Sequence, residues 1–145
     1  MNDARNVALL EQGRRVLHAQ AFSRLVGAEL TVFEAGRAEI RIPVRDELKQ
    51  QNGFVHGGVL AYLADNSLTY AGGSVLGSSV VTSEFKINYA KPAIGEVLIA
   101  RASVVNAGKR QAVCRCDIFV VAGGRENLCA AAQGTIVPLG DKSAG

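Results

Sequence analysis

Gln50-Gln51-Asn52-Gly53-Phe54-Val55-His56-Gly57-Gly58-Val59-Leu60-Ala61-Tyr62-Leu63-Ala64-Asp65-Asn66-Ser67-Leu68-Thr69 runs from a polar loop into the densest apolar stretch of the chain. Val59, Leu60, Leu63, Ala64, Leu68 and Ala71 recur at helical spacing. Ala61, Ala64 and Ser67 are small, so neighbouring backbone can pack closely around this segment. The pattern predicts a central, largely buried helix that opens at His56-Gly57-Gly58 and stops at Gly72-Gly73.

On either side the periodicity changes. Residues 3–20 read as a modestly amphipathic helix, with Val7, Leu10, Arg14 and Leu17 on one side and Asn2 or Asp3 as its cap. Residues 28–34 and 37–44 read as two strands joined at Ala35-Gly36. Ala38, Ile40 and Ile42 alternate there with Arg37, Glu39 and Arg41, which puts one face inside and one in water, and Pro43 should end the strand or put it at a sheet edge. Four further strands are expected at 78–90, 96–106, 111–122 and 127–138. They are separated by Lys91-Pro92 and Gly95, by Gly108-Lys109-Arg110, and by Gly123-Gly124. Short turns between consecutive strands predict an antiparallel meander. The sum is an α+β domain, a curved sheet wrapped on one helix. Val113, Phe119 and Val121 lie opposite Cys114, Cys116, Ile118 and Val120, so both faces of one strand are apolar. That predicts a partly covered outer face and at least a homodimer.

Composition narrows the function classes. A chain of 145 residues, 48% hydrophobic and 20% charged, suits one domain with a real core. The net charge of +3 favours anionic ligands only mildly. Lys and Arg are scattered, and three Tyr and five Phe form no aromatic-basic ladder for nucleic acid. The N-terminus has no basic region followed by an apolar run, and no segment reaches membrane-spanning length, so cytoplasm is the expected compartment. Cys114, Cys116 and Cys129 lack metal-finger spacing and read as buried, reduced thiols. Two His without clustered carboxylates make no metal site. No nucleophile elbow, P-loop or dinucleotide fingerprint is present.

Two features of the central helix carry chemistry. Gly57 and Gly58 stand where Ala would favour the helix by about 1 kcal/mol each. Either the helix enters under a sheet with no room for Cβ, or the glycines expose N-terminal N–H donors that hold an oxyanion or a polarised carbonyl. Asp65 lies two turns on, among Leu63, Ala64, Ser67 and Leu68. It is either a structural acid bonded to a loop, or a general base or nucleophile beside the helix-terminus donors. Thr69, one turn later on the same face, orients a water or the acid, or fills the core. His56 is available as a base, but its place at the helix entry favours a structural or orienting role. Asn66 reads as a surface or interface group. Ser83, in the next strand, faces Asp65 or substrate, or is a routine strand serine.

Three marks together resemble a known family. They are His56-Gly57-Gly58, Leu63-Ala64-Asp65, and Asn88-Tyr89-Ala90-Lys91-Pro92-Ala93 with Gly95. Over residues 28–138 the chain is similar to the PaaI-like branch of the hotdog-fold acyl-CoA thioesterases. The resemblance implies a single hotdog domain over 1–145, with residues 1–27 as a helical extension and 28–138 as the core. It implies Asp65 as base or nucleophile toward the thioester and the Gly57 N–H as the group that polarises its carbonyl. Gln50, where relatives more often carry Asn, is implied to hold a water or the leaving thiol. Thr69 and Ser83 match auxiliary positions, and Lys109-Arg110 match a region near the nucleotide end of coenzyme A. The expected catalytic set is Asp65, Gly57, Gln50, His56 and Thr69, and the expected substrate-contacting set is Asn52, Gly58, Asn66, Ser83, Lys109 and Arg110. The implied assembly is a homodimer with sites across its interface, paired into a tetramer, acting on acyl-CoA with no metal or other cofactor, no nucleic acid and no membrane. Two other readings stand beside it: a hydratase or dehydratase on the same fold, using His56 with an acid, and an acyl-CoA binding protein that leaves its ligand intact.

Overall fold

A computed structural model describes residues 2–140, and side chains from Asp3 onward. Helices α1 (Asn2–Ala19) and α2 (Ala21–Val26) precede strands β1 (Glu29–Glu34) and β2 (Arg37–Pro43). A single 3-10 turn at Asp46–Leu48 leads to α3 (Gly57–Leu76). Strands β3 (Val80–Tyr89), β4 (Val97–Ala107), β5 (Ala112–Ala122) and β6 (Arg125–Pro138) follow. All pairings are antiparallel, in one six-stranded sheet of order β1-β2-β4-β5-β6-β3. A sheet wrapped on one long helix, with a helical extension before it, is the hotdog arrangement expected. Among the described residues no helix is long and apolar enough to cross a membrane.

The predicted four-strand meander is corrected. Only β4, β5 and β6 follow one another in space, whereas β3 sits at the sheet edge beside β6 and β4 lies inside against β2. Helix α3 carries the chain from β2 across the sheet to its far edge, where β3 docks. Residues 90–96 then bring it back to the middle.

The helix ends also differ from expectation. The first helix breaks at Gln20, whose backbone is extended (φ −84°, ψ 110°), and α2 restarts the turn until Gly27 (φ 80°) closes it. Asn2 already lies within α1, and its side chain falls outside the described residues; Asp3 stands in the first turn rather than capping it. Helix α3 runs past Gly72-Gly73 and stops at Gly77 (φ 115°). Gly72 is needed for another reason, since a Cβ there would lie 2.6 Å from Cβ of Ile136 on β6.

The core forms where α3 meets the concave face. Leu63, Ala64, Leu68 and Ala71 are completely buried against a sheet that contributes Ile40, Ile42, Leu98, Ile118 and Ile136. Helix α1 docks beside them through Leu17. Tyr70 donates from its hydroxyl to the Gly13 carbonyl at 2.8 Å, and Arg14 Nε donates to the Leu30 carbonyl at 2.9 Å. The three cysteines are buried and free, and burial raises their thiols to about 11 (Cys114), about 12 (Cys116) and about 11 (Cys129). At neutral pH they are thiols rather than nucleophilic thiolates.

On the convex face Val113, Phe119 and Val121 are half-buried within one chain. The Arg101 guanidinium stands 5.2 Å from the Phe119 ring centre. It donates to Glu39 at 2.8 Å and to both Glu126 oxygens at 2.7 and 2.8 Å. Burial alone would raise the Glu39 carboxyl, but donors from Thr31, Arg101 and Arg41 hold it below its ordinary value. The chain's own charges therefore cover part of the face that the sequence assigns to a partner.

The tight approach at Gly72 can be tested. Helix propensity favours Gly72→Ala by about 1 kcal/mol, but crowding against Ile136 should cost about 1–3 kcal/mol. A net loss of stability is expected in chemical denaturation, and the loss caused by Gly72→Ala should be smaller on an Ile136→Gly background, which removes the crowding Cβ, than in the parent. Additive losses from the two changes would show that this contact does not constrain the helix.

Candidate functional site

The N-terminus of α3 is built by His56. Its backbone is non-helical (φ −60°, ψ 134°), and its Nδ1 accepts the Gly58 N–H at 2.8 Å. Its carbonyl accepts the Val59 N–H at 2.9 Å. Of the first three N–H groups of the helix, only that of Gly57 has no partner among the described residues. His56 N–H donates to the Leu48 carbonyl at 2.8 Å, and Val55 N–H to the Ala93 carbonyl at 3.0 Å. Those bonds fix the entry loop before the helix starts.

Both readings of the glycine pair find support. A Cβ on Gly57 would lie 3.3 Å from the Tyr89 ring, and one on Gly58 would lie 3.0 Å from the His56 imidazole. The Tyr89 hydroxyl donates to the Gly57 carbonyl at 3.0 Å. Close packing and an open donor thus coexist at Gly57. Tyr89 was quoted in the sequence only as part of a strand ending; its contact is made across 32 residues and has no local signature.

Gln50 reaches the same place from the loop. With Gly57, Leu60, Tyr89 and Pro92 it lines a cavity of about 310 Å³. Its side-chain oxygen accepts the Asn52 N–H, and its carbonyl accepts the Gly53 N–H at 3.0 Å, within a turn that needs Gly53 at φ 85°. The Gln50 amide nitrogen has no partner among the described residues. Asn52 itself is exposed on this turn.

Asp65 is half-buried, and its carboxylate has no ion pair or hydrogen bond among the described residues. Burial raises the phenol of neighbouring Tyr62, and the Asp65 charge adds to that. Thr69 donates to the Asp65 backbone carbonyl at 2.8 Å and shares a 2.8 Å hydroxyl contact with Thr82. Thr69 therefore ties α3 to β3 rather than reaching the Asp65 carboxylate. The β3 residue facing it is Thr82, while Ser83 is exposed where the strand register shifts between Thr82 and Glu84. Strict alternation along the sequence could not reveal that shift.

Asn66 makes its side-chain bonds to groups other than Asp65. Its amide donates to the Tyr62 hydroxyl at 3.0 Å and to Gln20 Oε1 at 3.3 Å. Ser23 of α2 joins the cluster, 2.5 Å from the Tyr62 hydroxyl and 2.6 Å from Gln20 Oε1. Lys109 and Arg110 are exposed in the β4–β5 turn. Ile136 pairs with both Ala112 and Thr82, so this turn lies at the end of the sheet where β3 begins. Gly57 lies at the end where β3 finishes, against Tyr89. Among the described residues no three His, Cys, Asp or Glu come together in a metal-binding group.

One distance governs what this arrangement can do. Gly57 and Asp65 are eight residues apart on one helix, or about 12 Å along its axis. A donor and a base acting on one carbonyl must each come within about 3 Å of it. One chain does not bring these two groups onto the same carbon.

The role of His56 as cap has a direct test. His56→Ala should lower thermal stability by about 0.5–2 kcal/mol, whereas His56→Asn, which can also cap, should stay near the parent. Equal losses in both would sink the capping assignment.

Comparison with known proteins gives a consistent picture. Residues 52–126 match the thioesterase superfamily. A protein of Haemophilus influenzae named "Putative esterase" is 32% identical over 75% of this chain and 80% of its own. A thioesterase family protein from Silicibacter pomeroyi has a solved structure with TM-score 0.84 and 31% identity, covering 87% of this chain and 94% of that one. The phenylacetic acid degradation protein PaaI of Thermus thermophilus superposes with TM-score 0.72 at 28% identity, covering 83% of this chain and all of that one.

Proposed function

The chain belongs to the thioesterase superfamily, and from that premise we propose that it hydrolyses an acyl-CoA thioester to a free carboxylic acid and coenzyme A. The observation that carries this reading is the Gly57 N–H, which has no partner among the described residues. Gly57 lines the cavity it shares with Gln50, at the positive end of a largely buried helix. An N–H there is suited to the negative charge that develops on a thioester oxygen under attack. The second requirement, a base or nucleophile, falls to Asp65, whose carboxylate no cation neutralises among the described residues.

The reaction needs only water besides the thioester. Asp65 either removes a proton from a water that attacks the carbonyl carbon, or attacks it to form an anhydride that water then opens. In both cases the C–S bond breaks and the thiolate leaves and takes up a proton; the new oxygen on the acyl carbon comes from water in direct attack, and from water or from Asp65 in the anhydride route according to which carbonyl the water opens. Gln50, whose amide nitrogen has no partner among the described residues, would hold a water or the departing sulfur near Gly57. His56 serves this scheme by fixing the donor loop.

The separation of about 12 Å makes the site a property of two chains. We place the Gly57 of one copy opposite the Asp65 of the other in a two-fold homodimer, with a pairing of dimers as the expected larger assembly. Strand β3 is a sheet edge with open backbone groups and exposed Val81 and Tyr89, which suits antiparallel pairing with its own copy. Such a pairing sets the Gly57 end of one β3 beside the Val80 end of the other. That brings Lys109 and Arg110 of one copy toward coenzyme A held at Gly57 of the second.

Two variants probe the two halves separately. Asp65→Asn should fold and assemble normally but release thiol about 10²–10⁴-fold more slowly. Gly57→Pro deletes the N–H at a helix position that suits proline, and should cost about 10²–10³-fold. Mixing the two inactive proteins after dissociation and reassembly should restore about a quarter of parent activity, because half the dimers are mixed and each has one intact site. A mixture as inactive as its parts, with mixed dimers demonstrated, rules out a site shared between copies.

A further inference from the structure

We propose that the cleft between α1 and α3 receives the acyl group, so that the N-terminal helical extension sets which chain lengths are accepted. This deepens the thioesterase reading and rests on it. The cleft holds about 400 Å³, against about 310 and 300 Å³ for the two cavities at the N-terminus of α3. That is more than twice the roughly 150 Å³ that takes a benzene, and it lies within the range of small-molecule sites. Its exposed lining is mostly apolar. Leu9 and Val16 of α1 form one wall, with Phe33, Tyr70, Gly73 and Val80 opposite and at its end.

Its position relative to the reacting groups makes the assignment. Asn66 and Thr69 border the cleft. Asn66 follows Asp65 directly, and Thr69 is bonded to the Asp65 carbonyl. From there the cleft follows α3 toward its C-terminus, as far as Gly77. From Thr69 to Gly77 the helix advances about 12 Å, the reach of a medium-length acyl chain. A thioester carbonyl at Asp65 would send its sulfur toward the second copy's Gly57 and its acyl substituent along this cleft.

The wall made by α1 is held firmly. Gly13 admits no Cβ, which would lie 2.7 Å from side-chain carbons of Leu30 and Phe33, so α1 lies tight on β1. The Tyr70–Gly13 bond and the Ser23–Tyr62–Asn66–Gln20 cluster pin the extension to α3 on both sides of the cleft. Val16 stays half exposed at 50% although it is apolar, as a residue at the rim of a site for an apolar group would be.

The experiment measures acyl-length selectivity in two readouts. One is thiol release from acetyl-, octanoyl- and lauroyl-CoA by the parent, Val16→Trp and Leu9→Ala proteins. The other is calorimetric affinity for the same three on the Asp65→Asn background, where binding needs no turnover. Each methylene held in the cleft is worth a factor of about 4 in affinity. Val16→Trp should therefore reduce the octanoyl-over-acetyl preference by about tenfold or more, and Leu9→Ala, which removes volume, should shift preference toward lauroyl. Ratios within about twofold of the parent for both variants would overturn the assignment, including the case in which a second copy fills the cleft. A parent protein that releases no thiol from any acyl-CoA defeats the thioesterase reading alone, and the affinity series still decides the cleft.

Discussion

The rigidity of α3 is the constraint on which the rest depends. A straight helix keeps its first free N–H and its acid about 12 Å apart, and the packing around it gives no way to shorten that distance. Leu63, Ala64, Leu68 and Ala71 are wholly buried against the sheet, and Gly72 touches Ile136 with no room for a methyl group. A helix held this closely cannot bend to bring its two ends of chemistry together. Chemistry that needs both groups on one carbonyl would have to draw one of them from a second copy, as proposed for this site.

The sheet leaves an edge on which a second copy could dock. With β3 at the edge rather than in the middle, the strand beside Asp65 keeps its backbone donors and acceptors open. Gly134 helps to hold it there, since a Cβ on it would lie 2.5 Å from the Glu84 carbonyl, so β6 and β3 approach closely where β3 bulges. The bulge turns Ser83 out and leaves Thr82 in contact with Thr69. An edge strand so fixed presents one register to a partner, which a slipping strand does not.

Much of this was legible in the chain. A helical period over 59–71 and a two-residue period in the strands separate the elements, and Gly27, Gly36, Gly123 and Gly124 have the positive φ that their turns require. The hotdog arrangement followed from that order and from the family resemblance. What escaped were contacts between distant segments. The meander put β3 beside β4 because sequence neighbours usually pair, and nothing local records that α3 carries the chain to the far edge. Gly72 looked like a stop because glycine is common at helix ends; its use against Ile136 is visible only once β6 is placed. The break at Gln20 lies between two stretches of similar composition, so α2 merged with α1. At the site, Gly57 and Asp65 were candidates by spacing and chemistry, while the contacts of Tyr89 with Gly57 and of Thr82 with Thr69 were not foreseen, because each is made from a strand that meets α3 only in the folded chain.

The N-terminal extension is where sequence and structure diverge most. Its modest amphipathicity suggests a helix of little consequence, yet it carries exposed apolar groups with specific neighbours. Phe22 packs edge-on to Tyr62 at 5.3 Å and lines the cavity beside His56 and Gly58, while Val16 borders the cleft beside Thr69. The extension thus reaches α3 near its donor end and again beyond its acid. Most of α1 is exposed, and its few buried positions, Gly13 and Leu17, fall on the side that docks. A helix held by so few apolar contacts shows little contrast between its faces in the sequence, although the contacts it makes are specific.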